Sequence, residues 1–119
     1  MRLTALRGAI TVDDNDGDAI LGATEELVHE LMERNGLGAE AMVSCLFTCT
    51  PDLNAEFPAV AARRLGLSAV PLLCAREIDV PGALPRVIRV MVHCYLDGDA
   101  QHVYLRDAEA LRRDLHGAQ

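Results

Sequence analysis

The stretch Arg86 to Tyr95 limits the fold more than any other part of the chain, because its residues alternate with a period of two. Ile88, Val90, Val92 and Cys94 fall on one face of the expected strand, and Val87, Arg89, Met91, His93 and Tyr95 fall on the other. Arg89 therefore belongs to a strand interior, between apolar neighbours. A guanidinium there loses hydration that only an anion can replace, so the fold supplies a carboxylate or leaves the place to a ligand. Just upstream, Cys74 to Asp79 reads as a loop carrying a thiol, the cation Arg76 and the carboxylates of Glu77 and Asp79.

A second arginine sits in the same kind of position. Arg2 to Val12 reads as a strand with Leu3, Ala5, Arg7 and Ala9 on one side and Thr4, Leu6, Gly8 and Ile10 on the other. The acidic turn from Asp13 to Gly17 offers an N-cap to a helix from Asp18 to Asn35. That helix carries adjoining stripes of Ile20, Leu27, Leu31 and of Leu21, Val28, Met32, and ends at Gly36. Ala41 to Cys49 is apolar on both sides and reads as a central strand. A turn at Thr50-Pro51-Asp52 follows, then a short helix opened by Phe57-Pro58 and closed by Gly66, with Arg63 and Arg64 in its last turn. Ala69 to Leu73 reads as a strand whose Pro71 marks an edge. Leu96 to Asp99 suggests a hairpin from the Arg89 strand to a short strand from His102 to Leu105, and Asp107 can cap a last helix from Ala108 to about Leu115.

This order gives an α+β fold: one domain with a mixed β-sheet and helices on one face. The opposite sheet face, with Val87, Met91 and parts of Leu3 and Ala5, is too apolar to meet water. A homo-oligomer that packs these faces together is expected, with binding sites at the seams.

Charge narrows the partners. Eleven cations, all arginine, stand against eighteen carboxylates, for a net charge of −7. An acidic chain repels phosphate backbones and anionic lipid, so neither nucleic acid nor a membrane is expected as a partner. No apolar run reaches the roughly 18 residues a span requires, and a cytoplasmic protein is the expectation. The four cysteines form no C-x-x-C and the four histidines show no zinc-type spacing, so no metal site is expected and the thiols read as reduced core residues.

Arg7-Gly8-Ala9, Thr50-Pro51-Asp52-Leu53, Phe57-Pro58-Ala59, Cys74 with Glu77 and Asp79-Val80, Ile88-Arg89-Val90-Met91 and His102-Val103-Tyr104-Leu105 occur in one order along the chain. Together they resemble the monofunctional chorismate mutases of the trimeric pseudo-α/β-barrel class, over about residues 2 to 115. The resemblance implies a unimolecular Claisen rearrangement of chorismate to prephenate, in phenylalanine and tyrosine biosynthesis, without a cofactor. It also implies a homotrimer with active sites at subunit interfaces. By the same resemblance Arg89 faces the ether oxygen, Glu77 and Cys74 meet the ring hydroxyl, and Arg7 and Tyr104 meet the side-chain carboxylate. Phe57 and Ala59 supply an apolar wall, Arg63 and Arg112 add positive charge at the mouth, and Leu111 packs nearby.

Two positions depart from the family pattern. Val60 stands where the family commonly has a lysine, and Leu73 stands at a substrate-binding position that is commonly threonine. Arg64, one helical turn from Val60, is expected to replace the missing charge. The residues leave two rival readings: a Rid-type imine or enamine deaminase, which shares a similar trimeric architecture, and a non-catalytic trimer that binds a small carboxylate.

Overall fold

A computed structural model of the 119-residue chain describes residues 1–112. Five strands form one mixed sheet: β1 (Arg2–Thr11), β2 (Met42–Cys49), β3 (Leu72–Arg76), β4 (Val87–Leu96) and β5 (Val103–Leu105), in the order β3-β2-β4-β1-β5. Two helices, α1 (Gly17–Asn35) and α2 (Pro58–Arg64), cover one face. β4 runs antiparallel to both its neighbours, whereas the outer pairs β2/β3 and β1/β5 are parallel.

The alternation along β4 separates the faces as expected. Ile88, Val90, Val92 and Cys94 are buried under the helices, together with Leu6 and Ile10 of β1, Cys45 and Phe47 of β2 and Val103 of β5. α1 presses Ile20, Leu27, Val28 and Leu31 onto them. Asp16 caps α1 by accepting the Ala19 N–H, and Gly36 closes it in the left-handed region at φ 56°. Gly8 sets how closely helix and sheet approach. A Cβ there would lie 3.0 Å from Leu27 Cδ1 and 3.1 Å from both Leu31 Cδ1 and the Val103 carbonyl oxygen. Glycine beside Arg7 thus lets α1 sit against β1 and β5 at the height where Arg7 leaves the other face.

The chain departs from the sequence expectations in several places. β3 begins after Pro71 and runs to Arg76, so Cys74 lies on an edge strand and not in a loop. Pro71 still takes part, because its carbonyl accepts the Cys45 N–H. The expected hairpin from β4 to β5 does not form. β4 already has β2 on one edge and β1 on the other, so β5 joins the free edge of β1, in parallel. Asp107 does not cap a helix but lies inside a 3-10 turn, Arg106–Ala108, and its N–H donates to Thr11 Oγ1. Residues 109–112 are helical, as expected for the start of the last helix, and its expected continuation to Leu115, with Arg113, lies outside the described residues. Val87 lies on the face expected to be covered by a second copy, but the chain itself buries it fully in a small cluster with Ala9, Tyr104 and Ala108, onto which Leu84 and Leu111 pack.

The rest of the second face is open in the single chain. Leu3, 56 % exposed, lies opposite Tyr95 in the β1/β4 register, and Leu73 is exposed on the same side of the sheet. No described helix is long and apolar enough to cross a membrane.

Candidate functional site

The strand register assembles the site. Across the open face, Ala75 of β3, Thr48 of β2, Arg89 of β4, Ala9 of β1 and Tyr104 of β5 form one row. The next row holds Leu73, Leu46, Met91 and Arg7. Between these rows and Leu111 lies a cavity of about 510 Å³, lined by Arg7, Ala9, Thr48, Arg89, Tyr104 and their neighbours. Two guanidiniums thus share a concave, largely apolar surface, which suits a small molecule with more than one carboxylate.

Arg89 was expected to be dry, but its side chain is 46 % exposed in the single chain, because nothing in that chain covers this face. Its partner is Glu77, only 16 % exposed, whose two carboxylate oxygens each accept from Arg89 Nε at 3.1 Å. Thr48 Oγ1 donates to Glu77 Oε2 at 2.8 Å, and the Glu77 N–H donates to the Cys49 carbonyl at 2.9 Å. The terminal nitrogens of Arg89 make no hydrogen bond among the described residues. Among the described residues, Glu77 therefore holds the guanidinium at Nε alone.

Arg7 is held from its backbone. Its N–H donates to His102 Nδ1 at 3.0 Å, which requires a neutral imidazole with its proton on Nε2. Burial lowers the His102 pKa, and the guanidiniums of Arg7 and Arg112 lower it further, so the neutral form is the stable one. Thr48 does not stand out in the sequence, and His102 enters it only as part of the His102-Val103-Tyr104-Leu105 segment, with no role of its own. His102 could have been found, since it lies two residues before Tyr104 and so shares its face.

Phe57 and Cys74 lie elsewhere. They line a second cavity of about 350 Å³ with Cys49, Leu53 and Arg76, and no residue lines both cavities. Phe57 is 65 % exposed and Leu73 is 59 % exposed, while Ala59 is buried on α2 and Arg63 and Arg64 project from its last turn. Arg112 is exposed. The single chain thus brings Arg7, Glu77, Arg89, Tyr104 and Leu111 together and places Phe57, Ala59, Arg63, Leu73 and Cys74 toward the β3 edge and α2.

The four cysteines are free. Burial raises the Cys45 and Cys49 pKa values to about 12, so both stay protonated and unreactive at neutral pH. The Thr50-Pro51-Asp52 segment proves structural: Asp52 accepts the Arg86 N–H, and Thr50 Oγ1 accepts the Val87 N–H. That clamp fixes the entry to β4 at Arg86, the residue before the strand, whose φ is 51°.

Known proteins with this sequence and fold agree with one another. The family profile described as "Chorismate mutase type I" matches residues 3–115. The chain is 49 % identical over 118 residues to chorismate mutase AroH of Thermus thermophilus, covering 96 % of this chain and 97 % of that one. It is 40 % identical over 119 residues to chorismate mutase AroH of Bacillus subtilis strain 168, covering 97 % and 94 %. The solved structure of a chorismate mutase from Clostridium thermocellum superposes with a TM-score of 0.88 at 47 % identity, covering 90 % of this chain and 98 % of that one.

Proposed function

From the premise that this chain belongs to the type I chorismate mutase family and is itself a chorismate mutase, we propose how its own residues carry out the rearrangement of chorismate to prephenate. The reaction is unimolecular. An ether C–O bond breaks as a C–C bond forms, with the electrons moving in one cycle and no proton transferred. Negative charge grows on the ether oxygen in the transition state, so a fixed positive donor at that oxygen lowers the barrier.

Arg89 is that donor. The observation that carries this role is its one-edged attachment: Glu77 holds Nε, and Arg89 lines the cavity. Arg7 binds the side-chain carboxylate from the neighbouring row, with Tyr104 beside it. Glu77 accepts from the ring hydroxyl as well as from Arg89. Holding the substrate in a compact conformation adds a proximity contribution to the electrostatic one.

The site is completed by a second copy of the chain. The single chain leaves an apolar sheet face open and places Arg7, Arg89, Tyr104 and Leu111 at one cavity and Phe57 and Cys74 at another. In a homotrimer, the open faces pack together, and the β3 edge and α2 of one subunit close the Arg89 cavity of the next. Phe57 and Ala59 then form the apolar wall, Leu73 and Cys74 line the seam, and Arg63 and Arg112 add positive charge at the mouth. Covering the face also removes water from Arg89, which strengthens its action on the ether oxygen. The sequence and fold relationships favour this reading over an imine deaminase.

The test is an ultraviolet assay of chorismate consumption by the purified protein, with prephenate identified as the product. Light scattering on the same sample reads the assembly. Ammonia release from a dehydroamino acid, without prephenate formation from chorismate, would overturn the reading.

A further inference from the structure

We infer that Thr48 is a positioning residue for the rearrangement, acting through Glu77 to keep the outer edge of the Arg89 guanidinium available to the substrate. The inference rests on the functional reading above. Thr48 and Arg89 are direct cross-strand partners in the β2/β4 register and line the same cavity. Glu77 arrives from beyond the end of β3, so the three groups come from separate parts of the chain.

A carboxylate beside a guanidinium has a competing arrangement. It can form parallel hydrogen bonds to two nitrogens, a geometry stronger than the sharing of Nε between both oxygens seen here. That alternative would occupy a terminal nitrogen that the reaction needs. The Thr48 hydroxyl, at 2.8 Å from Glu77 Oε2, opposes it by fixing one carboxylate oxygen on the β2 side. Glu77 is mostly buried, so an oxygen without this donor has little water to turn to and gains most by rotating onto Arg89. Thr48 therefore sets how much of the cation reaches the ligand.

Thr48→Val keeps the shape of the side chain and removes the donor, whereas Thr48→Ser keeps the donor. A hydrogen bond to a charged group corresponds to about a tenfold to hundredfold effect. Thr48→Val is expected to lose about that much kcat/KM. Its KM should rise as kcat falls, because the displaced carboxylate competes with substrate for the guanidinium. Simple loss of folded enzyme would lower the apparent kcat and leave KM alone. Thr48→Ser should restore activity to within about threefold of wild type, and in a Glu77→Ala background Thr48→Val should add less than about twofold. Wild-type kinetics in Thr48→Val, no recovery in Thr48→Ser, or a full effect without Glu77 would each overturn the inference. Should Thr48→Val not fold, Thr48→Ala carries the same expectation.

A substrate-free measurement separates this inference from the functional reading. The Glu77 side-chain carboxyl carbon resonance, assigned by its loss in Glu77→Gln, should move in Thr48→Val and return in Thr48→Ser. An unmoved resonance refutes the role of Thr48. A protein that does not turn over chorismate but shows the expected shift refutes the function and leaves the contact standing.

Discussion

Replacing Arg89 by citrulline isolates its charge. The neutral isostere retains the Nε–H that donates to Glu77 and exchanges one terminal nitrogen for oxygen, so packing on β4 changes little. The two consequences differ in size. Arg89 is nearly half exposed in its ion pair, and pairs of that kind contribute at most about 1 kcal/mol to stability. In the reaction, removing one donor from a developing oxyanion costs about 3 to 4 kcal/mol. A unit charge at 4 Å in a medium of effective dielectric constant 20 gives about the same figure. The expected result is a fall in kcat of about 10² to 10³, with an unfolding midpoint close to that of the parent protein. Chorismate consumption measured by stopped assay, alongside thermal unfolding of the same sample, decides it. A citrulline variant whose kcat stays within about fivefold of the parent would refute the electrostatic argument. Equal losses of stability and activity would instead make Arg89 a structural ion pair.

Arg64→Ala is expected to raise KM for chorismate severalfold at nearly constant kcat if Arg64 supplies the positive charge absent at Val60; an unchanged KM removes that role. Leu3→Asp places a charge on the open apolar face and should keep the proposed trimer from forming, giving a monomer by light scattering, with loss of turnover while each chain stays folded by circular dichroism. His102 makes stability depend on pH: its folded pKa lies below the ordinary value of 6.5, so the unfolded chain binds the extra proton first. Its contribution is complete above about 6.5 and is lost as pH falls through the lowered value, as protonation removes the Arg7 acceptor and adds a cation beside Arg7 and Arg112. Urea unfolding from pH 5 to pH 8 should show this acid limb in the wild type and not in His102→Gln. No step transfers a proton, so kcat should lack the bell shape of paired acid-base work.

Local patterns in the sequence were informative where each residue's role depends on its neighbours in the chain. The alternation in β4, the α1 stripes and the Asp16 and Gly36 caps follow from strand and helix periods and from backbone groups left unpaired at helix ends. Placement of Cys74 failed because the edge strand starts after Pro71 and continues as far as the charged Arg76, and an exposed edge carries little hydrophobic signal. The hairpin failed for another reason. A turn-like Leu96-Asp97-Gly98 is a local preference, whereas strand pairing depends on which edges are free, and both edges of β4 are taken.

The site shows the same division. That Arg7 and Arg89 each occupy a strand interior is written in the order of the residues, and with it the need for an anion near each. Their convergence on one cavity, the single-edged grip of Glu77, and the parts played by Thr48 and His102 arise only when β1, β2, β4 and β5 are laid in register. The sequence alone determined which side chains are paired with which face, because that follows from a two-residue repeat along one strand. Only the tertiary structure decided which atoms meet, because contacts between residues as far apart as Arg7 and His102 depend on the folding of the whole sheet.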